Sequence, residues 1–127
     1  MLKVLVVDDE PTIRLLIRAA LERTAYELVE AVDGISALEV ARRQRPDLIL
    51  LDIALPQMSG LEVCRRLKAD PATARTPVLL LTGFVQPAQR QAGERAGAEG
   101  FIAKPFSPAA LLAQIHESLQ RAAAAAR

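Results

Sequence analysis

Short, fully apolar runs recur along this chain and alternate with longer segments of helical period. Three of them have no polar position: Val4–Val7, Leu48–Leu51 and Val78–Leu81. Strands that are apolar at every position are covered on both faces, which is typical of parallel sheets. Because these runs alternate with helical segments, the pattern predicts β–α units wound around one parallel sheet.

Polar residues suited to phosphate or metal chemistry directly follow four of the runs. They are Asp8 and Asp9 after Lys3–Val7, Asp52 after Leu48–Leu51, Thr82 after Val78–Leu81, and Lys104 after Gly100–Ala103. The carboxyl ends of parallel strands lie along one edge of a sheet, where open α/β sheets bind their ligands. We therefore expect three carboxylates, one hydroxyl and one ammonium to face a single crevice.

One more strand and the helices complete the predicted architecture. The segment Glu27–Ala31 is short and carries two glutamates, which is typical of an edge strand. The helical segments carry apolar stripes that should face the sheet, and Leu16 in the first helix and Ile35 in the second belong to these stripes.

Two helical segments are less ordinary. The only apolar side chains of Pro87–Ala96 are alanines, and Gly93 inside it costs about 1 kcal/mol relative to alanine. The last helix begins near Pro108 and runs into an alanine-rich tail. We expect one domain over residues 1–121, with 122–127 as a helical extension or a frayed tail.

The composition limits the class of protein. At 127 residues the chain fits one domain. A net charge of +1 with interspersed signs leaves no basic face, so no direct nucleic-acid ligand is expected. The single cysteine, Cys64, can form no internal disulfide, and no apolar stretch approaches the ~20 residues of a membrane span. These features predict a cytoplasmic protein that does not bind membranes.

The predicted carboxylate cluster needs a counter-charge, because like charges at close quarters raise one another's pKa. Oxygen ligands without His or Cys select a hard cation, and Mg²⁺ uses few carboxylates while keeping water that a phosphate can replace. Thr82 and Lys104 would add a hydroxyl and an ammonium for phosphoryl oxygens. Asp52 stands singly at its strand end and is the candidate nucleophile, since aspartyl phosphates are established intermediates.

Four segments match, in order and spacing, the motifs of a known family. They are Val6–Glu10, Leu51–Gly60, Pro77–Gly83 and Ala103–Phe106. Together they resemble the receiver domain of two-component response regulators, over the whole chain. The resemblance implies a flavodoxin-like, doubly wound α/β fold with a five-stranded parallel sheet of order 2-1-3-4-5 and five helices.

The resemblance also implies a phosphoacceptor and a metal site. Asp52 would accept the phosphoryl group and bind Mg²⁺ as cofactor. Asp9 would be a direct Mg²⁺ ligand, Asp8 a ligand largely through water, and the backbone carbonyl of Ala54 would complete the protein's share.

Further positions correspond to residues that respond to the phosphoryl group in receiver domains. Thr82 and Lys104 would hold its oxygens, and the ring of Phe101 would turn inward as Thr82 moves toward it. Lys104–Pro105 would be a cis peptide bond, with Pro105 as a cis-proline. The surface of helix 4, strand 5 and helix 5 would carry the signal.

The resemblance implies three kinds of partner. A sensor histidine kinase or phosphotransfer protein would donate the phosphoryl group, and a downstream protein or effector domain would receive the signal. A phosphorylation-dependent homodimer is the third.

Two positions that tune the loss of the phosphoryl group in the family are occupied here by Ala54 and Phe84. Neither side chain can position a water by hydrogen bonding, so slow autodephosphorylation is expected.

Simpler interpretations stay open for single residues. Asp9 is also a suitable N-cap for a helix that starts at Pro11. Phe101 fits plain strand core as well as it fits a switch. Asp52 and Thr82 are also common as loop and buried residues that bond the backbone.

Other functions compete with the switch, which is not expected to be an enzyme. A dinucleotide site with Asp33 as the ribose-binding acid fails because the first turn contains no glycine. A phosphatase with an aspartate nucleophile resembles this site, but its acid two residues later is replaced here by Ala54. A receiver fragment of a larger regulator is the remaining alternative.

Overall fold

The computed structural model describes residues 1–83 and 86–126. Within them, strands and helices alternate along the chain. The elements are β1 (Lys3–Val7), α1 (Pro11–Leu21), β2 (Glu27–Ala31), α2 (Gly34–Gln44), β3 (Leu48–Asp52), α3 (Gly60–Ala69), β4 (Val78–Thr82), α4 (Pro87–Arg95), β5 (Gly100–Ala103) and α5 (Pro108–Ala125).

The five strands form one parallel sheet with the order β2-β1-β3-β4-β5. This confirms the predicted flavodoxin-like fold, and β2 is the edge strand that its glutamates indicated. Every residue of β3 and β4 is buried, as expected for central strands with helices on both faces.

Helices on the two faces of the sheet enclose two separate cores. The core beneath α2 and α3 contains Leu51 and Val63, and the core beneath α1 and α5 contains Leu50 and Ile115. Consecutive side chains of a strand point to opposite faces, so β3 alone supplies both cores. Cys64 lies in the first core and is buried.

The helices begin where the sequence provides suitable first turns. Proline stands in the first turn of α1, α4 and α5, where its missing N–H is not needed. The side chain of Asp33 caps α2 by accepting a hydrogen bond from the amide of Ser36, and Ser36 completes a capping box. The side chains of Ser59 and Ser107 cap α3 and α5 by accepting hydrogen bonds from backbone amides.

Two side chains expected to face the sheet are exposed instead. Leu16 is 50% exposed and Ile35 is 57% exposed, so those two assignments are wrong. In α1 the buried residues are Ile17 and Leu21. A helix turns about 100° per residue, so the apolar neighbour of a buried residue need not be buried itself.

The alanine-rich tail is helical as far as Ala125 in the described structure, because α5 continues through it. Alanine is the best helix former, which favours this continuation. No helix in the described ranges combines the length and the apolarity that a bilayer crossing needs.

Candidate functional site

The ends of four strands bring the predicted polar residues to one edge of the sheet. Val7 pairs with Leu51 in the register between β1 and β3, so the next residues, Asp8 and Asp52, are neighbours. Thr82 pairs with Ala103 between β4 and β5, which places Lys104 beside the end of β4. Residues far apart in the chain therefore meet because the strands are parallel and in register.

Lys104 contacts two buried carboxylates. Its Nζ donates a hydrogen bond to Oδ2 of Asp8 at 2.9 Å, and it lies 3.3 Å from Oδ1 of Asp52. Asp8 is fully buried and Asp52 is 3% exposed, while the Lys104 side chain is 14% exposed. One ammonium thus balances part of the charge of two carboxylates that water barely reaches.

The backbone also supports these carboxylates. The amide of Glu10 donates to Oδ1 of Asp8 at 2.9 Å, and the amide of Ala54 donates to Oδ1 of Asp52 at 3.1 Å. The main chain of Lys104 is fixed as well, because its amide donates to the carbonyl of Thr82 at 2.8 Å. The site is therefore held in place before any ligand binds.

Burial and charge shift the pKa values of two of these groups. Burial raises the pKa of Asp52, and the charge of Asp8 raises it further, while Lys104 and the Ala54 amide oppose the change. Burial would lower the pKa of Lys104, but the hydrogen bond to Asp8 and the charges of Asp52 and Asp8 outweigh it and raise that pKa. Lys104 therefore stays positively charged at neutral pH.

A third carboxylate, Glu10, belongs to the cluster although the sequence interpretation gave it no role. Among the described residues, carboxylate oxygens of Asp8, Glu10 and Asp52 lie within 4.8 Å of one another. Oε1 of Glu10 also lies 3.8 Å from Nζ of Lys104. The acidic run that follows β1 was the available signal, but side-chain direction in a loop cannot be read from sequence.

Asp9 occupies a different position from the other acids. It is exposed and is not part of this carboxylate group. The N-cap of α1 is Glu10, and no side chain caps that helix. The interpretation of Asp9 as an N-cap is therefore wrong, and its role as a metal ligand stays a prediction.

The phosphoacceptor candidate is packed against the start of α3. A Cβ added to Gly60 would lie 2.1 Å from the carbonyl oxygen of Asp52 and 2.8 Å from Cα of Ile53. The amide of Gly60 donates to the carbonyl of Ile53 at 2.8 Å. A bare backbone at Gly60 is thus what allows α3 to approach this turn.

The remaining predicted residues surround the acidic cluster. Thr82 is 6% exposed at the end of β4. The Lys104–Pro105 peptide bond is cis, the geometry that the resemblance implies. Phe101 is partly buried in β5 and packs against the core beneath α2 and α3. Phe84 lies outside the described residues.

The donor atoms suit a hard divalent cation. Three carboxylates converge, and the only cation that the described structure pairs with all three is Lys104. Excess negative charge on clustered oxygens is the setting that Mg²⁺ prefers. The residues present therefore fit Mg²⁺, with Asp8 and Asp52 best placed to approach it.

Asp33, which follows the second strand, has a structural role instead. Asp33, the acid considered for a dinucleotide site, accepts a 2.8 Å hydrogen bond from the amide of Ser36 as the cap of α2. The backbone and side-chain hydrogen bonds from Ser36 lower the pKa of this carboxyl. Its oxygens thus stabilise a helix end.

Comparison with known proteins points to one family. The model of the response regulator receiver domain matches residues 4–116. The phosphate regulon transcriptional regulatory protein PhoB of Pseudomonas aeruginosa is 43% identical over 118 residues, which cover 93% of this chain and 52% of that protein.

Two solved structures show the same fold. Chemotaxis protein CheY4 of Vibrio cholerae has a TM-score of 0.89 and 36% identity, and covers 93% of this chain and 98% of its own. The receiver domain of sensor histidine kinase PA1611 from Pseudomonas aeruginosa, solved with a magnesium ion coordinated in its active-site cleft, has a TM-score of 0.86 and 32% identity, over 94% of this chain and 98% of its own.

The extent of the match differs between these relatives. This chain spans about half the length of the curated regulators that it matches, and nearly the full length of the CheY4 structure. The family motifs, the sheet order and the acidic edge agree with one another. The chain belongs to the receiver domain family of two-component response regulators.

Proposed function

We propose that this receiver domain is a phosphorylation-operated switch whose phosphoacceptor is Asp52. The observation that carries the proposal is the placement of Lys104, whose Nζ lies 2.9 Å from Asp8 and 3.3 Å from Asp52 at one edge of the sheet. A fixed ammonium next to a carboxylate nucleophile suits phosphoryl transfer, because charge on the phosphoryl oxygens must be balanced.

The reaction would be a transfer from a phospho-histidine of a sensor kinase or a phosphotransfer protein. A carboxylate oxygen of Asp52 forms a bond to phosphorus while the bond between phosphorus and the imidazole nitrogen breaks. The electron pair of that bond stays on the imidazole. The product is an aspartyl phosphate, an established type of covalent intermediate.

The chain's own groups would orient the phosphoryl group. Lys104 would pair with one of its oxygens, and the Thr82 hydroxyl would bond another. The amide of Ala54, which donates to Asp52 at 3.1 Å, fixes the nucleophile. Asp9, Asp52 and the carbonyl of Ala54 would bind Mg²⁺ directly, and Asp8 would bind it largely through water. Bound Mg²⁺ would supply the positive charge that the clustered acids and the incoming phosphate require.

The signal would leave through the surface of α4, β5 and α5. Movement of Thr82 toward the phosphoryl group would be coupled to the ring of Phe101, and a downstream protein, an effector domain or a second copy would bind the altered surface. Expected slow loss of the phosphoryl group rests on Ala54, together with Phe84, which lies outside the described residues.

A receiver that is part of a larger cytoplasmic regulator is favoured by one observation. PhoB, whose name makes it a transcriptional regulatory protein, is matched over only 52% of its length. An effector domain that follows the receiver would then be the partner. A phosphatase is less well supported, because Ala54 stands where such an enzyme has an acid.

Acetyl phosphate provides a direct test of the switch chemistry. With Mg²⁺, the intact mass of the protein should rise by one phosphoryl group, and removal of Mg²⁺ with EDTA should prevent the change. Asp52→Asn should gain nothing, whereas Glu39→Gln, an exposed carboxylate on α2, should behave like the parent. Equal phosphorylation of Asp52→Asn and the parent would contradict the proposal.

A further inference from the structure

Arg14 on α1 connects this helix to β2 and to the acidic edge of the sheet. Its Nη1 donates a hydrogen bond to the backbone carbonyl of Asp8 at 2.8 Å, and its Nε donates to Oε1 of Glu30 on β2 at 3.1 Å. The side chains of Arg14 and Glu30 are 19% and 22% exposed. Because a guanidinium is planar and presents its donors in a rigid fork, two such bonds fix its orientation.

The register of the sheet explains why Glu30 faces Arg14. Val6 of β1 pairs with Glu30 of β2, and paired residues of neighbouring strands point to the same face of a sheet. Val6 belongs to the core beneath α1 and α5, so Glu30 points to the side on which α1 lies. One of the two glutamates that indicated an edge strand therefore also anchors an arginine of α1.

Arg14 contacts Asp8 at the point where β1 has ended. The amide of Asp8 donates to the carbonyl of Ala31 at 3.2 Å, one residue beyond the last residue of β1. Oδ1 of Asp8 accepts a bond from the amide of Glu10, and Oδ2 accepts one from Lys104. The carbonyl of Asp8 accepts the bond from Arg14. Each polar atom of Asp8 thus has a partner, and Arg14 holds the carbonyl.

This carbonyl belongs to the peptide group that joins Asp8 to Asp9. A peptide group is planar, so a bond that fixes its carbonyl also fixes the direction in which the chain enters Asp9. Asp9 is exposed and is the expected direct Mg²⁺ ligand under the proposed function. Fixing the peptide beforehand removes part of the entropy cost of ordering Asp9 around an ion.

We propose that Arg14 is a positioning residue for the metal site, and that it sets the affinity for Mg²⁺ by fixing the peptide between Asp8 and Asp9. Its guanidinium is bonded to the backbone and to Glu30, so it acts through these acids and not as a ligand. The inference deepens the proposed function and rests on it only for the identity of the metal ligands.

The charge of Arg14 alone would have the opposite effect on the metal. A guanidinium near a cation site repels Mg²⁺, so its removal should strengthen binding if charge dominates. Loss of a bond that orients the ligand-bearing backbone should weaken binding, and residues that orient metal ligands typically contribute about 10- to 100-fold in affinity. The sign of the change in affinity therefore distinguishes positioning from simple charge.

Two substitutions and a matched control test the proposal, with Mg²⁺ itself as the probe. Arg14→Met removes the donors and the charge but keeps a long apolar stem. Arg14→Lys keeps the charge but has a single nitrogen in place of the fork. Arg18→Met is the control, because Arg18 pairs with Glu30 from the same helix and that ion pair does not involve Asp8.

Titration of the unphosphorylated proteins with MgCl₂, followed by amide chemical shifts, gives the Kd of each. We expect a Kd at least about tenfold higher for Arg14→Met, at least about threefold higher for Arg14→Lys, and changed less than about twofold for Arg18→Met. Tighter binding by Arg14→Met, an unchanged Kd for Arg14→Lys, equal weakening by Arg18→Met, or a parent without saturable Mg²⁺ binding would overturn the proposal. If Arg14→Met does not fold, Arg14→Lys against Arg18→Lys decides by the same outcomes.

A measurement without metal tests the bond itself. In Arg14→Met the carbonyl carbon resonance of Asp8 should shift, and exchange of the Glu10 amide should become at least about fivefold faster, because Asp8 is held less firmly. Arg18→Met should cause neither change. An unmoved Asp8 resonance in Arg14→Met would refute the proposal. Failure of Asp52 to accept a phosphoryl group would leave these results and the Kd values unchanged, so the two proposals fail separately.

Discussion

At the scale of single residues, Lys104 controls the charge balance of the site. In Lys104→Gln two buried carboxylates would lose their shared counter-charge, which should lower the free energy of unfolding by about 3 kcal/mol. Mg²⁺ should restore a large part of this loss, because it supplies the missing charge. Urea unfolding with and without Mg²⁺ measures both quantities.

The control for this substitution is Arg66→Gln, which removes an exposed ion pair with Glu62. Exposed pairs contribute little, so the change should stay below about 1 kcal/mol and should not depend on Mg²⁺. An equally small loss for Lys104→Gln, or a loss that Mg²⁺ does not reduce, would show that the site needs no counter-charge.

Gly60 is expected to act on the site through the backbone. In Gly60→Ala the new methyl group would collide with the carbonyl of Asp52, which cannot move aside as a flexible side chain can. We expect a loss of about 2 kcal/mol or more in unfolding free energy and slower phosphorylation of Asp52 by acetyl phosphate. Gly83→Ala is the matched control, since no described atom lies within 4 Å of its added Cβ. Similar results for the two variants would contradict this account.

The thiol of Cys64 should make stability depend on pH at the alkaline end. Burial raises the pKa of Cys64 from 9.0 to about 11, so folding favours the neutral thiol. This contribution is complete below the unfolded pKa and is lost as the pH rises from 9.0 through about 11. The difference in unfolding free energy between the parent and Cys64→Ala should therefore shrink by about 2 kcal/mol across this range. A constant difference would mean that the thiol ionises as readily in the folded protein as in the unfolded one.

At the scale of elements, the alanine-rich end of α5 should contribute little to the domain. Leu119 is the last buried side chain of this helix. A chain that stops after Arg121 should lose less than about 1 kcal/mol in unfolding free energy, because the removed residues are largely exposed. Urea unfolding checks this prediction. A loss of several kcal/mol would place residues 122–127 within the domain.

The elements themselves could be predicted well from the sequence. The bounds of β1 follow from its continuous apolar run. The bounds of β2 and its edge position follow from a short run that carries two glutamates. Both patterns report local burial. The sequence predicted less well which side chains of each helix face the sheet. Leu16 is next to the buried Ile17, and Ile35 is two positions before the buried Ala37. Only the packed structure decides which apolar side chains the sheet covers.

Gly93 shows where reading a single element is insufficient. Within α4 alone a glycine only weakens the helix, and the sequence pattern predicted only this cost. A Cβ on Gly93 would lie 2.5 Å from Cζ of Phe101 in β5, so the ring requires a helix backbone without a Cβ at this position. No local pattern carries that information, because the two residues belong to different elements.

At the scale of the whole molecule, the site combines residues up to 96 positions apart, as Asp8 and Lys104 are. The sequence predicted this meeting because parallel strands place all their carboxyl ends at one edge. It could not predict which acids lie closest. Glu10 joins Asp8 and Asp52 although it is exposed, whereas Asp9, which is also exposed, lies outside this group. The loop conformation after β1 decides this.

We propose that Asp52 alone receives the phosphoryl group, and the chemical identity of the modified residue can be determined directly. After treatment with acetyl phosphate and Mg²⁺, borohydride reduces an aspartyl phosphate to homoserine, and peptide mass spectrometry locates the changed residue. We expect homoserine at position 52 and nowhere else. Homoserine at Asp8 or Asp9, or none in a protein that has gained a phosphoryl group, would contradict it.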